Sequence, residues 1–111
     1  MHSNITFEDF SKVDLRVGTI IDVSEFTAAH KPAYKLMIDF GVLGIKSSSA
    51  QITTLYSKED LLHKQIIAVV NFKPKQIADF ISECLVLGAV KDNDVVLLSS
   101  EQQVKNGTVV S

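Results

Sequence analysis

Residues 15–23 read Leu-Arg-Val-Gly-Thr-Ile-Ile-Asp-Val, and this stretch decides the fold class. Its side chains alternate with a period of two, which is typical of a β-strand with one buried face. One predicted face carries Leu15, Val17, Thr19, Ile21 and Val23, and the other carries Asp14, Arg16, Gly18, Ile20 and Asp22. Gly18 inside such a strand predicts a bulge or a sharp bend, which small barrels need at their corners.

Further short strands follow this one along the chain. Residues 34–40 alternate, with Tyr34, Leu36, Ile38 and Phe40 predicted to face inward and Lys35, Met37 and Asp39 outward. The remaining candidate strands are residues 45–51, 66–70, 84–90, 95–98 and 108–110. Residues 71–83 are expected to form a long loop. The strands lack full crossover helices between them, which favours an all-β fold, and a five-stranded OB-type barrel fits their number.

Two helical segments complete this prediction. Thr6 and Asp9 resemble a capping box, and Phe7, Phe10 and Val13 follow at helical spacing, so a short N-terminal helix is expected over residues 7–13. A small helical turn is expected at residues 52–56, between strands 3 and 4, with residues 57–64 irregular or barely helical.

Composition restricts the class of protein. The chain has 111 residues, of which 46% are hydrophobic, and a net charge of −2, which predicts one globular domain over residues 1–111 and excludes a disordered tail. No apolar run approaches the roughly 20 residues of a membrane helix, so no integral membrane association is expected. The first ten residues lack the pattern of a secretory signal. A single cysteine, Cys84, fits a reducing cytoplasm.

Four separated motifs carry a family resemblance. Residues 14–20 (DLRVGTI) resemble the D-x-R-V-G-x-I opening of the tRNA-binding-domain family, and residues 71–75 (NFKPK) resemble its N-L-K-P-R/K motif. Residues 30–36 (HKPAYKL) and 82–87 (SECLVL) are similar to two further family segments. Residues 38–41, 48–53 and 69–72 most resemble the CsaA-type branch of secretion chaperones.

The resemblance implies an OB-fold, a homodimer, no catalytic activity and no cofactor. It implies cytoplasmic binding of unfolded or export-bound polypeptides for the CsaA-type branch and tRNA binding for its sister branches. The sequence departs from the family pattern at Gln76, Asp79 and Ile81, where the family has a basic residue, a glycine and often a basic residue. The carboxylate of Asp79 weakens the tRNA interpretation more than the polypeptide one.

The ligand face of an OB-fold lies on strands 2 and 3, between the first long loop and the loop joining strands 4 and 5. Here those loops are residues 24–32 and 71–83. The candidate polypeptide-binding residues are Phe72, Ile77, Phe80, Ile81 and Met37. Apolar residues in the second loop either line a pocket or plug the end of the barrel, and both alternatives stay open.

Basic residues near the same face suggest a rim that would attract phosphate. The candidates for RNA binding or for a basic rim are Lys35, Lys46, Asn71, Lys73, Lys75 and Ser82, with Lys31 nearby. The alternative is that these lysines only solubilise a β-surface. Lys35, Met37, Lys46 and Ser48 are all expected to point outward.

Apolar side chains that need a cover predict a dimer. The candidate interface residues are Phe7, Phe10, Val13, Ser48 and Ala50, and the alternative is that the helix folds back on its own barrel. The sequence has no metal-ligand spacing and no catalytic constellation. His63 is expected at a turn with a positive φ, where histidine is enriched, and Cys84 is expected in the core as a small apolar residue. Three functions remain: a polypeptide-binding chaperone, a tRNA-binding protein on the same face, and an assembly module that docks on another protein.

Overall fold

The structure is a computed structural model and describes residues 3–111. Its helices and strands, in chain order, are α1 (Phe7–Ser11), β1 (Leu15–Glu25), β2 (Tyr34–Asp39), β3 (Ile45–Ala50), α2 (Lys58–Leu61), β4 (Gln65–Val69), β5 (Lys75–Ile77), β6 (Phe80–Ser82), β7 (Leu85–Val86), β8 (Gly88–Lys91), β9 (Asp94–Leu97) and β10 (Val109–Val110). The main sheet runs β3-β2-β1-β4-β7, and β10 pairs with β1. The sheet curls into a nearly closed barrel, which confirms the all-β OB-fold prediction.

The long strand β1 is bent, as the sequence predicts, but the bulge lies further along the strand than Gly18. The register with β2 shifts between Ile20 and Asp22, so the extra residue, Ile21, lies outside the core. Gly18 and the fully buried Ile20 lie on the core face, and after the bulge Val23 packs against the core. The predicted strict alternation is therefore wrong beyond Ile20. Gly18 instead permits close packing, because a Cβ there would lie 2.7 Å from side-chain atoms of both Ile38 and Phe40.

Strand β2 has the predicted faces, with its inward residues and Phe40 in the core beside Ile66 and Leu61. Strand β3 closes the barrel through Ser47, whose carbonyl accepts from the Glu83 N–H at 2.8 Å and whose hydroxyl donates to the Ile81 carbonyl at 2.7 Å. The prediction that Ser48 points outward is wrong. Ser48 is 1% exposed and its hydroxyl donates to the Cys84 carbonyl, because the register places it opposite the inward-facing Leu36.

Both helices begin with a capping box. The Thr6 hydroxyl accepts from the Asp9 N–H, as predicted, and Ser57 and Asp60 form the same arrangement at α2. The small helical segment between β3 and β4 is therefore confirmed, but it lies at Lys58–Leu61 rather than at residues 52–56. The helix is placed there by the Ser57 cap, while residues 53–55 form only a turn.

The segment predicted as a long loop contains a β-hairpin. Strands β5 and β6 pair with Gln76 opposite Ile81, and the chain reverses at Ala78, whose φ is +53°. A second hairpin, β8–β9, packs Val95 and Leu97 against the barrel core. The Leu97 N–H also donates to the Tyr56 hydroxyl at 3.0 Å.

The end of the chain returns to β1, as its turn signal predicts. Gly107 has a φ of +91°, its N–H donates to the Val17 carbonyl, and its own carbonyl accepts from the Arg16 guanidinium at 3.0 Å. The Gln65 side chain exchanges two hydrogen bonds with the backbone of Val104. Within residues 3–111, neither helix has the length that crossing a membrane requires.

Candidate functional site: a cleft beneath the β5–β6 hairpin

A cleft with a volume of about 550 Å³, which we term the main cleft, lies between the β5–β6 hairpin and the closing edge of the barrel. Its lining residues are Ser49, Phe72, Lys73, Lys75, Ile77, Ser82, Glu83, Cys84 and Leu85. Five predicted site residues meet here: Phe72 and Ile77 from the polypeptide set, and Lys73, Lys75 and Ser82 from the basic-rim set. The cleft therefore combines apolar walls with two exposed lysines.

The hairpin register explains which of its side chains face the cleft. Opposed residues of an antiparallel pair share a face. Lys75 with Ser82 and Ile77 with Phe80 therefore lie on the side that faces the barrel. Ile81 lies on the other face with Gln76 and is 47% exposed. The hairpin thus divides the predicted apolar residues, and Ile81 does not line the cleft.

The cleft floor is held by hydrogen bonds from Ser47 to Glu83. The Ser47 N–H donates to Glu83 Oε1 at 3.0 Å, and the Ser47 hydroxyl, 2.9 Å from the same oxygen, shares its single proton between this carboxylate and the Ile81 carbonyl. These bonds stabilise the ionised form and lower the pKa of the Glu83 carboxyl. Cys84 is buried, as predicted for a core cysteine, and burial, followed by the charge of Glu83, raises its thiol pKa to about 12. The thiol is therefore protonated and unreactive at neutral pH.

One end of the hairpin is fastened to the first loop by four side chains, which we term the Lys35 cluster: Phe26, Lys35, Asp79 and Phe80. The two rings meet edge to face, with centroids 5.4 Å apart. The Lys35 ammonium lies 5.0 Å from the Phe26 centroid and 5.4 Å from that of Phe80, and it is 4.0 Å from Asp79 Oδ1. Phe80 and Lys35 were both predicted to contact a ligand, but in this structure they contact each other.

A second cleft of about 250 Å³ adjoins the first. It lies between the first loop and the hairpin, and it shares Ser49 and Ile77 with the larger cleft. His30 and Lys31 contribute to its other wall. The two clefts therefore form one interrupted groove across the outer face of β2 and β3.

Besides Phe80, Ile81 and Lys35, three further predicted residues lie outside both clefts. Met37 is half-buried on the outer face of β2, and Lys46 lies near Glu83, where its charge helps to lower the pKa of that carboxyl. The Asn71 side chain accepts from the Asp14 N–H at 2.9 Å and donates to the Lys12 carbonyl at 2.7 Å. Both ends of its amide are used to join α1 to the barrel, so this residue has a structural role.

The N-terminal helix presents apolar side chains to solvent. None of its residues is buried, and Phe7 is 81% exposed, so the helix does not fold back on its own barrel. Phe10 and Val13 are exposed beside it. Ala50, by contrast, packs against the core, and Ser48 is buried, so neither is exposed with this helix.

Sequence reasoning missed several residues of the site. Ser49, Glu83 and Leu85 line the main cleft, and Phe26 anchors the Lys35 cluster. The signal for Phe26 was available, since an aromatic residue in the first long loop of an OB-fold lies near the ligand face. The role of Glu83 depends on hydrogen bonds 36 residues distant in sequence, which periodicity does not report.

A barrel with a groove between its first long loop and a hairpin after strand β4 defines an OB-fold binding domain. A family model described as "Putative tRNA binding domain" matches residues 15–109, and the chain belongs to this family. A crystal structure of the chaperone CsaA from Bacillus anthracis str. Ames is 54% identical, with a TM-score of 0.94 over 98% of this chain and 100% of that one. The CsaA chaperone protein from Picrophilus torridus is 55% identical, with a TM-score of 0.92 over 97% and 100% of the two chains.

Methionine–tRNA ligases are also similar to the chain. The enzyme from Thermococcus onnurineus (strain NA1) is 36% identical over 103 residues, which are 93% of this chain and 14% of the ligase. The chain thus spans about one seventh of that enzyme's length. A structure of a MetRS related protein from Pyrococcus horikoshii is 25% identical, with a TM-score of 0.88 over 99% of this chain and 100% of that one.

Proposed function

We propose that this protein is a non-catalytic, CsaA-like chaperone that holds unfolded or export-bound polypeptides in the cytoplasm. The observation that carries the proposal is the main cleft, whose walls are largely apolar (Phe72, Ile77 and Leu85) and whose floor holds an ionised carboxylate. Apolar walls suit the side chains of an extended polypeptide. A fixed carboxylate is unfavourable beside a phosphate.

The proposed mechanism is passive. Apolar side chains of the polypeptide enter beneath the hairpin and displace water, and each fully buried side chain contributes about 1.5–3 kcal/mol before the cost of ordering the chain. Lys73 and Lys75 form a basic rim at the cleft. Release follows from dissociation and mass action, so the mechanism requires no bound nucleotide.

A matched pair of variants on the hairpin tests this function. Ile77→Ser places a hydroxyl in the cleft, whereas Ile81→Ser makes the same chemical change on the outer face of the same hairpin. Binding of fluorescent, carboxymethylated α-lactalbumin, which cannot refold, is measured by anisotropy. Ile77→Ser is expected to weaken binding about tenfold and Ile81→Ser less than twofold. Equal effects of the two variants would refute the proposed site.

The proposal includes a homodimer. An apolar row crosses the outer face of the main sheet in register, from Val110 through Leu15 and Val69 to Leu85. Leu85 is 48% exposed and also lines the main cleft, Val110 and Leu15 are half-buried, and Val69 is buried. Together with the exposed face of α1, this row offers a surface for a second copy. Two clefts near a shared interface would give one longer groove for an extended polypeptide.

Light scattering on a sizing column tests the dimer. The wild-type protein is expected to have twice the chain mass at micromolar concentration. Phe7→Glu is expected to give monomers, because it places a charge in the proposed interface. Val42→Glu is the control, since Val42 is a similarly exposed apolar residue outside the proposed interface, in the short turn Gly41–Leu43. A wild-type monomer would remove this part of the proposal.

A second candidate function is tRNA binding on the same face. Lys73 and Lys75 favour it, because both are exposed and neither forms an ion pair among the residues that the structure describes. The double variant Lys73→Glu and Lys75→Glu is expected to abolish binding of labelled tRNA. If the wild-type protein binds tRNA more tightly than it binds carboxymethylated α-lactalbumin at about 200 mM salt, tRNA becomes the preferred ligand class.

A further inference from the structure

The Lys35 cluster occupies the part of the OB-fold face where a single-stranded nucleic acid would make its contacts. Such ligands need cations for phosphates and flat aromatic faces for bases. Lys35 is the cation at the centre of this face, and Phe26 and Phe80 are the rings beside it. All three are present, but they are arranged in contact with one another.

Asp79 completes this arrangement from the hairpin turn. Its carboxylate is 4.0 Å from the Lys35 ammonium and 69% exposed. An ion pair this exposed adds little to stability. Its effect on a ligand is larger, because the carboxylate neutralises the central cation and presents a negative charge to any phosphate that approaches the groove.

The two rings are also unavailable for stacking. Phe26 is buried, and the edge of one ring meets the face of the other at 5.4 Å. The Lys35 ammonium lies within 5.4 Å of the centroids of both rings, so it takes the place beside them that a base would need. A base could stack here only after the hairpin turn had separated from the first loop.

From this geometry we infer that Asp79 is a specificity-determining residue that directs the groove away from nucleic acid and towards polypeptide. The inference rests on the proposed polypeptide-binding function and adds the residue that excludes the competing ligand class. Polypeptide side chains enter the main cleft beside Ile77, so they do not require Lys35 or the two rings. Removing the carboxylate therefore affects one ligand class and leaves the other.

The test compares Asp79→Asn with Asp92→Asn. Asp92 is an exposed aspartate at the turn of the β8–β9 hairpin, so both variants change the net charge by the same amount. Binding of unfractionated tRNA and of carboxymethylated α-lactalbumin is measured at about 50 and 200 mM salt. Asp79→Asn is expected to bind tRNA about three- to tenfold more tightly at the lower salt, with a salt slope steeper by up to about 1. Asp92→Asn is expected to match the wild type.

Further variants separate the alternatives. Asp79→Gly, the residue that the family pattern has at this position, is expected to reproduce the gain, and adding Lys35→Gln is expected to cancel it. Unchanged tRNA affinity in Asp79→Asn, or an equal gain in Asp92→Asn, would overturn the inference. A wild-type protein that binds no α-lactalbumin would remove the proposed function, while the tRNA comparison would still decide the role of Asp79.

Discussion

The two hairpins of the molecule have the same local form and different relations to the barrel. Each joins its strands through a two-residue turn, and each places a non-glycine residue at positive φ, Ala78 at +53° and Asp92 at +56°. The β8–β9 hairpin packs Val95 and Leu97 on the core. The β5–β6 hairpin covers an open cleft and is fastened at its turn by the Lys35 cluster.

This difference shows that turn geometry does not decide what a hairpin does. The decisive factor is where its inward side chains arrive. Those of β9 reach the core and add to its apolar packing, whereas Ile77 reaches the edge of a cleft of about 550 Å³. One hairpin therefore contributes to the stability of the core, whereas the other borders the cleft that we propose as the binding surface.

The comparison predicts its largest effect on the free energy of unfolding when one inward side chain of each hairpin, Leu97 or Ile77, is truncated to alanine. Leu97→Ala is expected to lower the free energy of unfolding by about 2 kcal/mol, because it removes packing against the core. Ile77→Ala is expected to cost less than about 1 kcal/mol, because the residue already borders open space. Urea denaturation followed by circular dichroism measures both. If Ile77→Ala were the more damaging change, the distinction between the hairpins would be wrong.

The attachment of the β5–β6 hairpin gives a smaller effect. Phe26→Leu, Phe80→Leu and the double variant form a thermodynamic cycle. The edge-to-face contact predicts a coupling of about 0.5–1.5 kcal/mol between the two positions. The same cycle between Phe26 and Val95 of the other hairpin serves as the control and should give no coupling. A coupling near zero for the aromatic pair would show that the Lys35 cluster does not hold the hairpin.

The smallest effect is a pH dependence of stability at the cleft floor. The pKa of Glu83 is lowered below its ordinary value of 4.5, so its hydrogen bonds with Ser47 stabilise the folded state above that pH. This contribution is lost as the pH falls through the folded-state pKa. The melting temperature of Glu83→Gln is therefore expected to fall less than that of the wild type between about pH 7 and pH 3.5. Glu101→Gln, at an exposed position, should behave as the wild type; identical acid sensitivity in all three proteins would contradict the assignment.

Much of the fold could be predicted because its signals are local. Alternation over residues 34–40, the Thr6 capping box and the turn at Gly107 each depend on a few neighbouring residues. The failures involve competing local signals or distant contacts. A bulge at Ile21 changed the faces of β1 beyond Ile20, and the second helix begins at the Ser57 cap rather than within residues 52–56.

The candidate site could be predicted only in part, for a related reason. The sequence indicated residues 71–83 as a candidate ligand segment, but the side on which each residue lies depends on the hairpin register, which separates Ile77 from Ile81. The role of Asn71 depends on hydrogen bonds to Lys12 and Asp14, far away in sequence. Composition alone also does not show that Lys35 is neutralised by Asp79.

The salt dependence of polypeptide binding tests the central claim most directly. If apolar side chains enter the cleft beneath β5–β6, the affinity of the wild-type protein for carboxymethylated α-lactalbumin should change less than about threefold between about 50 and 200 mM salt. Binding of tRNA should fall steeply over the same range. A polypeptide affinity that falls as steeply as the tRNA affinity would mean that the basic rim, rather than the apolar cleft, holds the ligand, and the account would be wrong.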